Sequence, residues 1–212
     1  DILSGGRGND FLDGGSGADT IQGGSGADVI IGGSGIDTAV YDDYSSNGNR
    51  TTEGGINVQL DQGFAYDLFG DRDTLTFVEN IKGSIGNDLI VGDDKNNTLN
   101  GNAGNDILNG QEGDDFLIGA SGEDTFVFNN DDGRNGLSHG QDTIADVEIG
   151  LDLIDLSDTE VRNFNDLFSE GDRYMEQIGQ DTVIYTMNGE GGDSITLENI
   201  SMGSLSEDDF IF

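Results

Sequence analysis

The chain of 212 residues contains no cysteine and no proline, only eight lysine or arginine residues, and no long apolar run. Without cysteine it can form no disulfide and carry out no thiol chemistry. Without a long apolar run, no membrane-spanning helix is expected, and without proline its folding has no slow isomerisation step. HExxH and P-loop motifs are also absent. We therefore predict that these residues form no enzyme, although a longer parent protein could still be one.

Acidic residues dominate the charge of the chain. Forty-three Asp or Glu residues stand against eight Lys or Arg, for a formal net charge of −35. No basic patch is available to meet phosphates, which excludes nucleic-acid binding and argues against docking on anionic membranes. Two carboxylates about 4 Å apart repel by roughly 1 kcal/mol in water and by several times more near a protein surface. We therefore predict that the chain compacts only when cations neutralise it.

A nine-residue repeat built on glycine and aspartate organises much of the sequence. Four units run from Gly5 to Val40 and five from Gly83 to Val127. Glycine opens every unit. A second glycine stands fourth and an aspartate sixth in all units but one, which carries Lys95 and Asn97 instead. The residues before Gly5 match the tail of a further unit, so we expect the natural N-terminus to lie elsewhere.

An apolar residue stands eighth in every unit: Leu12, Ile21, Ile30, Ala39, Ile90, Leu99, Leu108, Leu117 and Phe126. The Gly-, Asn- and Ser-rich first six residues favour a turn with positive φ. The triplet that follows suits a very short strand with one inward side chain. Stacked units would bury these side chains as a ladder. Composition alone also allows a disordered acidic linker, but a linker has no reason to keep an apolar eighth position.

The pattern GGxGxDxUx, in which U is a large apolar residue, resembles the RTX (repeats-in-toxin) calcium-binding repeat over residues 1–40 and 83–127. The resemblance implies an all-β fold, a right-handed parallel β-roll followed by a β-rich C-terminal cap with a short helix. In that family, consecutive turns alternate between two sides of the roll, and calcium lies between turns two units apart. The implied cofactor is therefore several Ca²⁺ ions, which prefer carboxylate and carbonyl oxygens.

The resemblance also assigns the calcium ligands residue by residue. The sixth-position side chains are Asp1, Asp10, Asp19, Asp28, Asp37, Asp88, Asn97, Asp106, Asp115 and Asp124; the turn glycines are Gly6, Gly8, Gly15, Gly17, Gly24, Gly26, Gly33, Gly35, Gly86, Gly104, Gly113 and Gly122. The implied pairs are Asp1–Asp19, Asp10–Asp28, Asp19–Asp37, Asp88–Asp106 and Asp106–Asp124. The pair of Asn97 with Asp115 lacks one charge, so we expect that site to be weak or empty.

Four segments are expected: a first repeat block at 1–40, a strand-containing connector at 41–82 that continues the roll, a second repeat block at 83–128, and a C-terminal cap at 129–212. In the connector we predict a loop at Tyr41–Thr52, a strand at Ile56–Leu60, and one or two strands within Asp73–Ile81. A loop that bulges from an otherwise continuous roll is the alternative.

Three aspartates of the connector, Asp67, Asp71 and Asp73, either bind a further ion or are solvated turn residues. The same two readings apply to a group in the cap, Asp142, Asp146, Asp152 and Asp155. His139 is the only histidine and has no matching nucleophile, so we expect it at the surface.

The cap is expected to contain strands at Thr182–Thr186 and Asp193–Ile200. A short helix is predicted after Asp158, with Val161, Phe164, Leu167 and Phe168 on one face. Ser204–Glu207 fits a capping box that opens a terminal turn.

These features predict a calcium-binding module of a protein secreted by a Gram-negative bacterium. The resemblance implies folding on calcium outside the cell, which would support type I secretion and an upstream passenger domain. The acidic and apolar end Glu207–Phe212 resembles the signal read by a type I ABC exporter, or is simply an edge strand. The alternative function is a polysaccharide-binding accessory module like those of alginate epimerases, although the basic residues are scattered.

Overall fold

A computed structural model describes residues 1–42, 54–129, 139–168, 174–186 and 192–212. These ranges contain twenty strands and three 3₁₀ turns, the latter at Asp166–Phe168, Met202–Ser204 and Glu207–Asp209. The strands are β1 (Ile2–Arg7), β2 (Phe11–Ser16), β3 (Thr20–Ser25), β4 (Val29–Ser34), β5 (Thr38–Val40), β6 (Asn57–Gln59), β7 (Phe64–Tyr66), β8 (Arg72–Thr76), β9 (Asn80–Lys82), β10 (Leu89–Val91), β11 (Thr98–Asn100), β12 (Ile107–Asn109), β13 (Phe116–Ile118), β14 (Thr125–Asn129), β15 (Gln141–Ile144), β16 (Leu153–Asp158), β17 (Met175–Ile178), β18 (Asp181–Tyr185), β19 (Ser194–Leu197) and β20 (Phe210–Ile211).

Successive repeat strands alternate between two sheets of ten strands each. Sheet 1 has the order β1-β3-β5-β9-β11-β13-β15-β19-β18-β17, and sheet 2 has the order β2-β4-β8-β7-β6-β10-β12-β14-β16-β20. Strands two units apart pair in parallel, as Ile2 does with Thr20 and Leu89 with Ile107. This arrangement is a parallel β-roll, and it confirms the fold class that the repeat predicts.

The eighth-position side chains form the core between the two sheets. Ile21, Ile30, Ala39, Ile90, Leu99, Leu108, Leu117 and Phe126 have no exposed surface. Full burial of one such side chain contributes about 1.5–3 kcal/mol. A three-residue strand contributes only one of them, so the core exists only because the units stack.

The connector enters the two sheets differently. β9 lies in sheet 1 between β5 and β11 and keeps their parallel register. In sheet 2, β6, β7 and β8 fill the gap between β10 and β4, and β7 runs antiparallel to both of its neighbours. The strand expected at Ile56–Leu60 is present as β6, and Asp73–Ile81 contributes to both β8 and β9. β7 was not predicted, because three residues between turns show too little alternation.

The cap extends both sheets. β15 and β19 continue sheet 1 in parallel, and β18 and β17 then close it in antiparallel register. β16 and β20 continue sheet 2. β18 and β19 are the strands predicted at Thr182–Thr186 and Asp193–Ile200. β20 places the extreme C-terminus at the edge of sheet 2, with Phe210 buried.

The helix predicted after Asp158 is wrong in extent, because only Asp166–Phe168 forms a 3₁₀ turn. Two side chains bind nearby backbone instead: Asn163 Oδ1 accepts the N–H of Asn165 at 3.0 Å, and Asp166 Oδ2 accepts the N–H of Arg162 at 3.1 Å. Such local bonds compete with helix formation. Val161 and Leu167 of the apolar stripe are nevertheless buried in the core, whereas Phe168 is 48% exposed.

Two smaller expectations are also corrected. His139 is buried and not at the surface, because Asp142 and Thr186 bind its two ring nitrogens, each at 2.6 Å. The capping box is formed by Ser206 and Asp209 instead of starting at Ser204. The loop predicted at Tyr41–Thr52 lies largely outside the described residues.

Leu108 and Ile107 are adjacent in β12 and offer a matched test of the core. Leu108 is fully buried, whereas Ile107 is 44% exposed on the outer face. We expect Leu108→Ala to lower the free energy of unfolding by about 2–5 kcal/mol, through lost burial and a cavity. Ile107→Ala should cost about 1 kcal/mol or less. Urea unfolding in saturating calcium measures both, and equal losses would contradict this packing.

Candidate metal centres

The sixth-position residues form two rows, one along each side of the roll. Row 1 precedes the strands of sheet 1 and begins Asp1, Asp19, Asp37; row 2 precedes those of sheet 2 and begins Asp10, Asp28. Within a row, the backbone N–H of one residue donates to Oδ1 of the next. This contact measures 2.8 Å in Asp10–Asp28, Asp19–Asp37, Asp88–Asp106 and Asp106–Asp124, and 2.7 Å in Asn97–Asp115. The amino group of Asp1 likewise contacts Asp19. The fold thus brings together every predicted pair.

The other carboxylate oxygen of most row members is buried and has no hydrogen-bond partner. This holds for Oδ2 of Asp10, Asp19, Asp28, Asp37, Asp106, Asp115 and Asp124. A buried charge without a partner costs several kcal/mol. Seven such atoms lie at equivalent places in the repeat, and each would be satisfied by a proton or by a cation.

Backbone oxygens converge on the same places. A Cβ built on Gly14 would lie 2.7 Å from Asp19 Oδ2 and 2.6 Å from the carbonyl oxygen of Gly32. A Cβ on Gly83 would meet Asp88 Oδ2 at 2.4 Å and the Gly101 carbonyl at 2.6 Å. Only glycine fits the first position, and its lack of a side chain leaves room beside one carboxylate and one carbonyl oxygen. Hard oxygen atoms of these two kinds fit Ca²⁺.

Backbone carbonyls must supply much of any coordination shell. Within the described ranges, no three Asp, Glu or His side chains converge on one point. Eleven of the twelve predicted turn glycines have positive φ, a conformation that L side chains rarely adopt. Gly86 is the exception, and the Ser84 hydroxyl accepts its N–H at 3.0 Å. The turn glycines therefore set the backbone path, and the row carboxylates are the candidate side-chain ligands.

Burial shifts the acidity of the row carboxyls. Desolvation raises the pKa of Asp106 to about 7, that of Asp115 to about 8 and that of Asp124 to about 6, although each accepts a backbone N–H that lowers it in part. Neighbouring carboxylates raise these pKa values further. Near neutral pH the ion-free fold would therefore hold Asp115 mostly protonated, Asp106 about half protonated and Asp124 mostly ionised, so cation binding displaces protons chiefly from Asp115 and Asp106.

Two turns of the second block differ from the rest. Asp88 is satisfied by the Ser84 backbone N–H and hydroxyl, each at 2.6 Å. Asn97 accepts the N–H of Asp93 through Oδ1 at 2.8 Å and donates to the Glu79 carbonyl at 2.8 Å. Lys95 forms an ion pair with Asp93 at 2.8 Å. Protein groups therefore bind both Asp88 and Asn97, whereas Oδ2 of Asp115, the partner of Asn97, has no hydrogen-bond partner. The expectation that the Asn97 site is weak stays a prediction.

Four residues outside the repeats continue the rows, a placement that was not predicted, although Asp73, Asp142 and Asp152 were considered as possible ion ligands. Their carboxylate oxygens accept the backbone N–H of the preceding row member at 2.9–3.0 Å: Asp73 from Asp28, Glu79 from Asp37, Asp142 from Asp115 and Asp152 from Asp124. Each is followed two residues later by a buried apolar side chain, as the repeat aspartates from Asp19 onward are. That acid-x-apolar triplet was the signal available in the sequence.

Several of the aspartates that were considered for further ions already bind groups of the protein. Asp146 accepts the N–H groups of Gly119 and Ala120 at 3.0 and 2.9 Å. Asp142 Oδ2 faces His139, and Asp152 Oδ2 accepts the N–H of Glu148 at 2.8 Å. In the connector, Asp67 and Asp73 are buried rather than solvated. Burial raises the pKa of Asp73 to about 7.

The buried group of Asp142, His139 and Thr186 has the acid–imidazole–hydroxyl order of a catalytic triad. His139 Nδ1 lies 2.6 Å from Asp142 Oδ2, and its Nε2 lies 2.6 Å from Thr186 Oγ1. Thr186 has no exposed surface, so no substrate reaches its hydroxyl. The group instead joins β15 to the end of β18 and holds the cap on the roll.

Comparison with known proteins addresses the repeats directly. A family model for the RTX calcium-binding nonapeptide repeat, four copies long, matches residues 1–39, 82–117 and 91–126. The chain carries RTX calcium-binding nonapeptide repeats. These RTX repeats imply Ca²⁺ as the bound ion, and the matched regions leave most of the connector and the cap uncovered. No curated protein sequence matches the chain significantly.

Two solved structures are similar to the chain. The extracellular lipase LipA from Serratia marcescens is 22% identical with a TM-score of 0.38, and the match covers 100% of this chain and 38% of the lipase. The AlgE6R3 subunit from the Azotobacter vinelandii mannuronan C5-epimerase is 20% identical with a TM-score of 0.37, covering 98% and 80% of the two chains. At these values neither similarity carries an argument about activity or ligand. No helix in the described ranges is long and apolar enough to cross a membrane.

Gly101→Ala tests the space beside the row carboxylates. Its Cβ would lie 2.1 Å from Asp106 Oδ2, so we expect a loss of about 1–3 kcal/mol of stability and weaker calcium binding. Gly203→Ala is the control, since the nearest atom to its Cβ would be 3.9 Å away. Calorimetric calcium titration and urea unfolding measure both variants. Normal behaviour of Gly101→Ala would show that this space is not needed.

The raised pKa values predict a proton-linked affinity. A carboxyl whose pKa is higher in the folded state stabilises the ion-free fold at low pH, and that stability is lost as pH rises through the folded pKa. For Asp124, Asp106 and Asp115 the window runs from the usual 3.8 up to about 6, 7 and 8 respectively. Calcium should therefore bind more tightly as pH rises through this window and should release protons. Titration calorimetry in buffers of different ionisation enthalpy measures the release, and its absence would contradict the account.

Proposed function

We propose that this chain is a calcium-responsive RTX module that folds when calcium binds between stacked turns. The observation that carries the proposal is the set of buried, unpartnered Oδ2 atoms in the two rows. Each calcium site at ten times its dissociation constant would add about 1.4 kcal/mol to the free energy of unfolding. Several sites acting together are enough to decide whether a marginal fold forms.

We further propose that this switch serves type I secretion from a Gram-negative cell. Where calcium is scarce, the net charge of −35 keeps the chain extended and exportable. Outside the cell, calcium is abundant enough for sites of the modest affinity that is typical of extracellular modules. Folding there would oppose backward movement and support an upstream passenger domain. The module itself is proposed to be non-catalytic.

The position of the C-terminus supports export before folding. Phe210 is buried, and Asp209 Oδ1 accepts the N–H of Gly150 at 2.7 Å. The segment Glu207–Phe212 is thus built into the cap through β20. An ABC exporter that reads this segment can reach it only while the chain is unfolded.

A second candidate function is that of a polysaccharide-binding accessory module. The connector exposes aromatic surface at Tyr66, Phe69 and Phe77, and the Arg72 guanidinium lies 4.6 Å from the Phe64 ring centroid. Aromatic faces beside a cation suit the apolar faces and acidic groups of a uronate polymer. Binding of neutral and anionic glycans in the presence of calcium tests this. Retention of anionic polymer that is lost in Tyr66→Ala would favour it.

A far-UV circular dichroism titration from a chelated start tests the leading proposal. We expect a cooperative gain of β signal with calcium. Magnesium should give no gain, because it is smaller and holds its water more tightly. A chain already folded in chelator would contradict the folding switch and leave a static scaffold or binding module as the better explanation.

A further inference from the structure

Asp37 is the last repeat aspartate before the connector, and one oxygen of its carboxylate has no hydrogen-bond partner. The residue has no exposed surface, and its Oδ2 is buried without a hydrogen-bond partner. The next turn on this side of the roll belongs to the connector. The repeat pattern has ended there, so whatever faces Asp37 comes from residues outside the nonapeptide units.

The carbonyl of Phe77 takes the place of a glycine carbonyl at this turn. One unit pair earlier, a Cβ on Gly14 would meet Asp19 Oδ2 at 2.7 Å and the Gly32 carbonyl at 2.6 Å. A Cβ on Gly32 would meet Asp37 Oδ2 at the same 2.7 Å and the Phe77 carbonyl at 1.9 Å. The two arrangements therefore place the same kinds of oxygen around the same backbone position.

The backbone at Phe77 is strained, which makes this match informative. Its φ is 54°, in the left-handed region, and its side chain is 62% exposed. A residue with a Cβ is strained in that conformation, and the exposed ring recovers little by packing. Backbone outliers of this kind concentrate at ligand sites. Here the conformation sets the carbonyl where the repeat would place a glycine carbonyl.

Glu79 completes the arrangement as the next member of row 1. Its Oε2 accepts the Asp37 N–H at 3.0 Å, as Asp37 Oδ1 accepts the Asp19 N–H at 2.8 Å. Only two positions separate Phe77 from Glu79, against five from Gly32 to Asp37. The longer side chain of glutamate compensates for the shorter turn. The N–H groups of Glu79 and Asn80 donate to the Asp37 carbonyl at 3.2 and 2.9 Å and hold the turn in place.

We propose that Asp37, the Phe77 carbonyl and Glu79 form a calcium site outside the nonapeptide repeats. The site rests on the proposed function, because it takes the same ion in the same kind of turn. The RTX match ends at residue 39 and resumes at 82, so neither Phe77 nor Glu79 belongs to it. The site joins the first repeat block to β9 and makes ordering of the connector depend on calcium.

Counting bound ions in matched variants tests the site. Native mass spectrometry gives the number of ions, and titration calorimetry gives their affinities. Glu79→Gln keeps an oxygen for the Asp37 N–H but removes the charge, and should lose one ion or weaken it more than tenfold. Asp61→Asn removes an exposed connector charge and should lose none. Phe77→Gly keeps the carbonyl and favours the same φ, so it should retain the full number.

The outcomes separate this site from the module's general function. If the wild-type chain binds several ions and Glu79→Gln binds the same number equally well, the site is wrong and the proposed function stands. A wild-type chain that binds no calcium overturns both. If Glu79→Gln does not fold, Glu79→Asp serves instead, since its charge is kept and its reach is shorter. It should weaken one ion, and an unchanged titration would overturn the site.

Discussion

The rest of this structure depends on one kind of buried carboxylate, which is repeated along the two rows. Its Oδ1 accepts a backbone N–H from the neighbouring turn and so holds the turns in register. Its Oδ2 is enclosed without a partner. The hydrogen bond to Oδ1 fixes which turns stack on each other. The unpartnered Oδ2 makes the folded state unfavourable unless a proton or a cation neutralises it. The raised pKa values of Asp106, Asp115 and Asp124 express the same conflict.

The other features of the repeat follow from that group. Glycine stands first because a Cβ there would collide with Oδ2. A single apolar residue per unit is enough for the core, because stacking turns isolated side chains such as Leu99 and Leu117 into a continuous ladder. Neither the apolar core nor the stack of turns is stable by itself. Apolar burial requires the turns to stack, and stacking brings carboxylates together, so ion binding and core formation become one cooperative event.

Local patterns predicted the periodic parts of the fold, and tertiary partners decided the rest. The short strands and the eighth-position core follow from a fixed nine-residue period, and the pairing of row members such as Asp10 with Asp28 was implied by the resemblance to RTX repeats. β7, the continuation of the rows into Asp73 and Glu79, and the burial of His139 do not. Each depends on a partner distant in sequence: Thr186 lies 47 residues from His139, and Glu79 lies 42 from Asp37. The helix expected after Asp158 failed because nearby Asn and Asp side chains bind the backbone it would have used.

Hydrogen exchange resolved by segment, compared in calcium and in chelator, tests the central claim most directly. The strands β10–β14 lie beside the buried row carboxylates, and their amides take part in parallel pairing within each of the two sheets. We predict strong protection of these strands in calcium and almost none in chelator at neutral pH, because the ionised rows cannot stay buried without ions. Equal protection in both conditions would contradict the account, since the roll would then be stable with its carboxylates unneutralised.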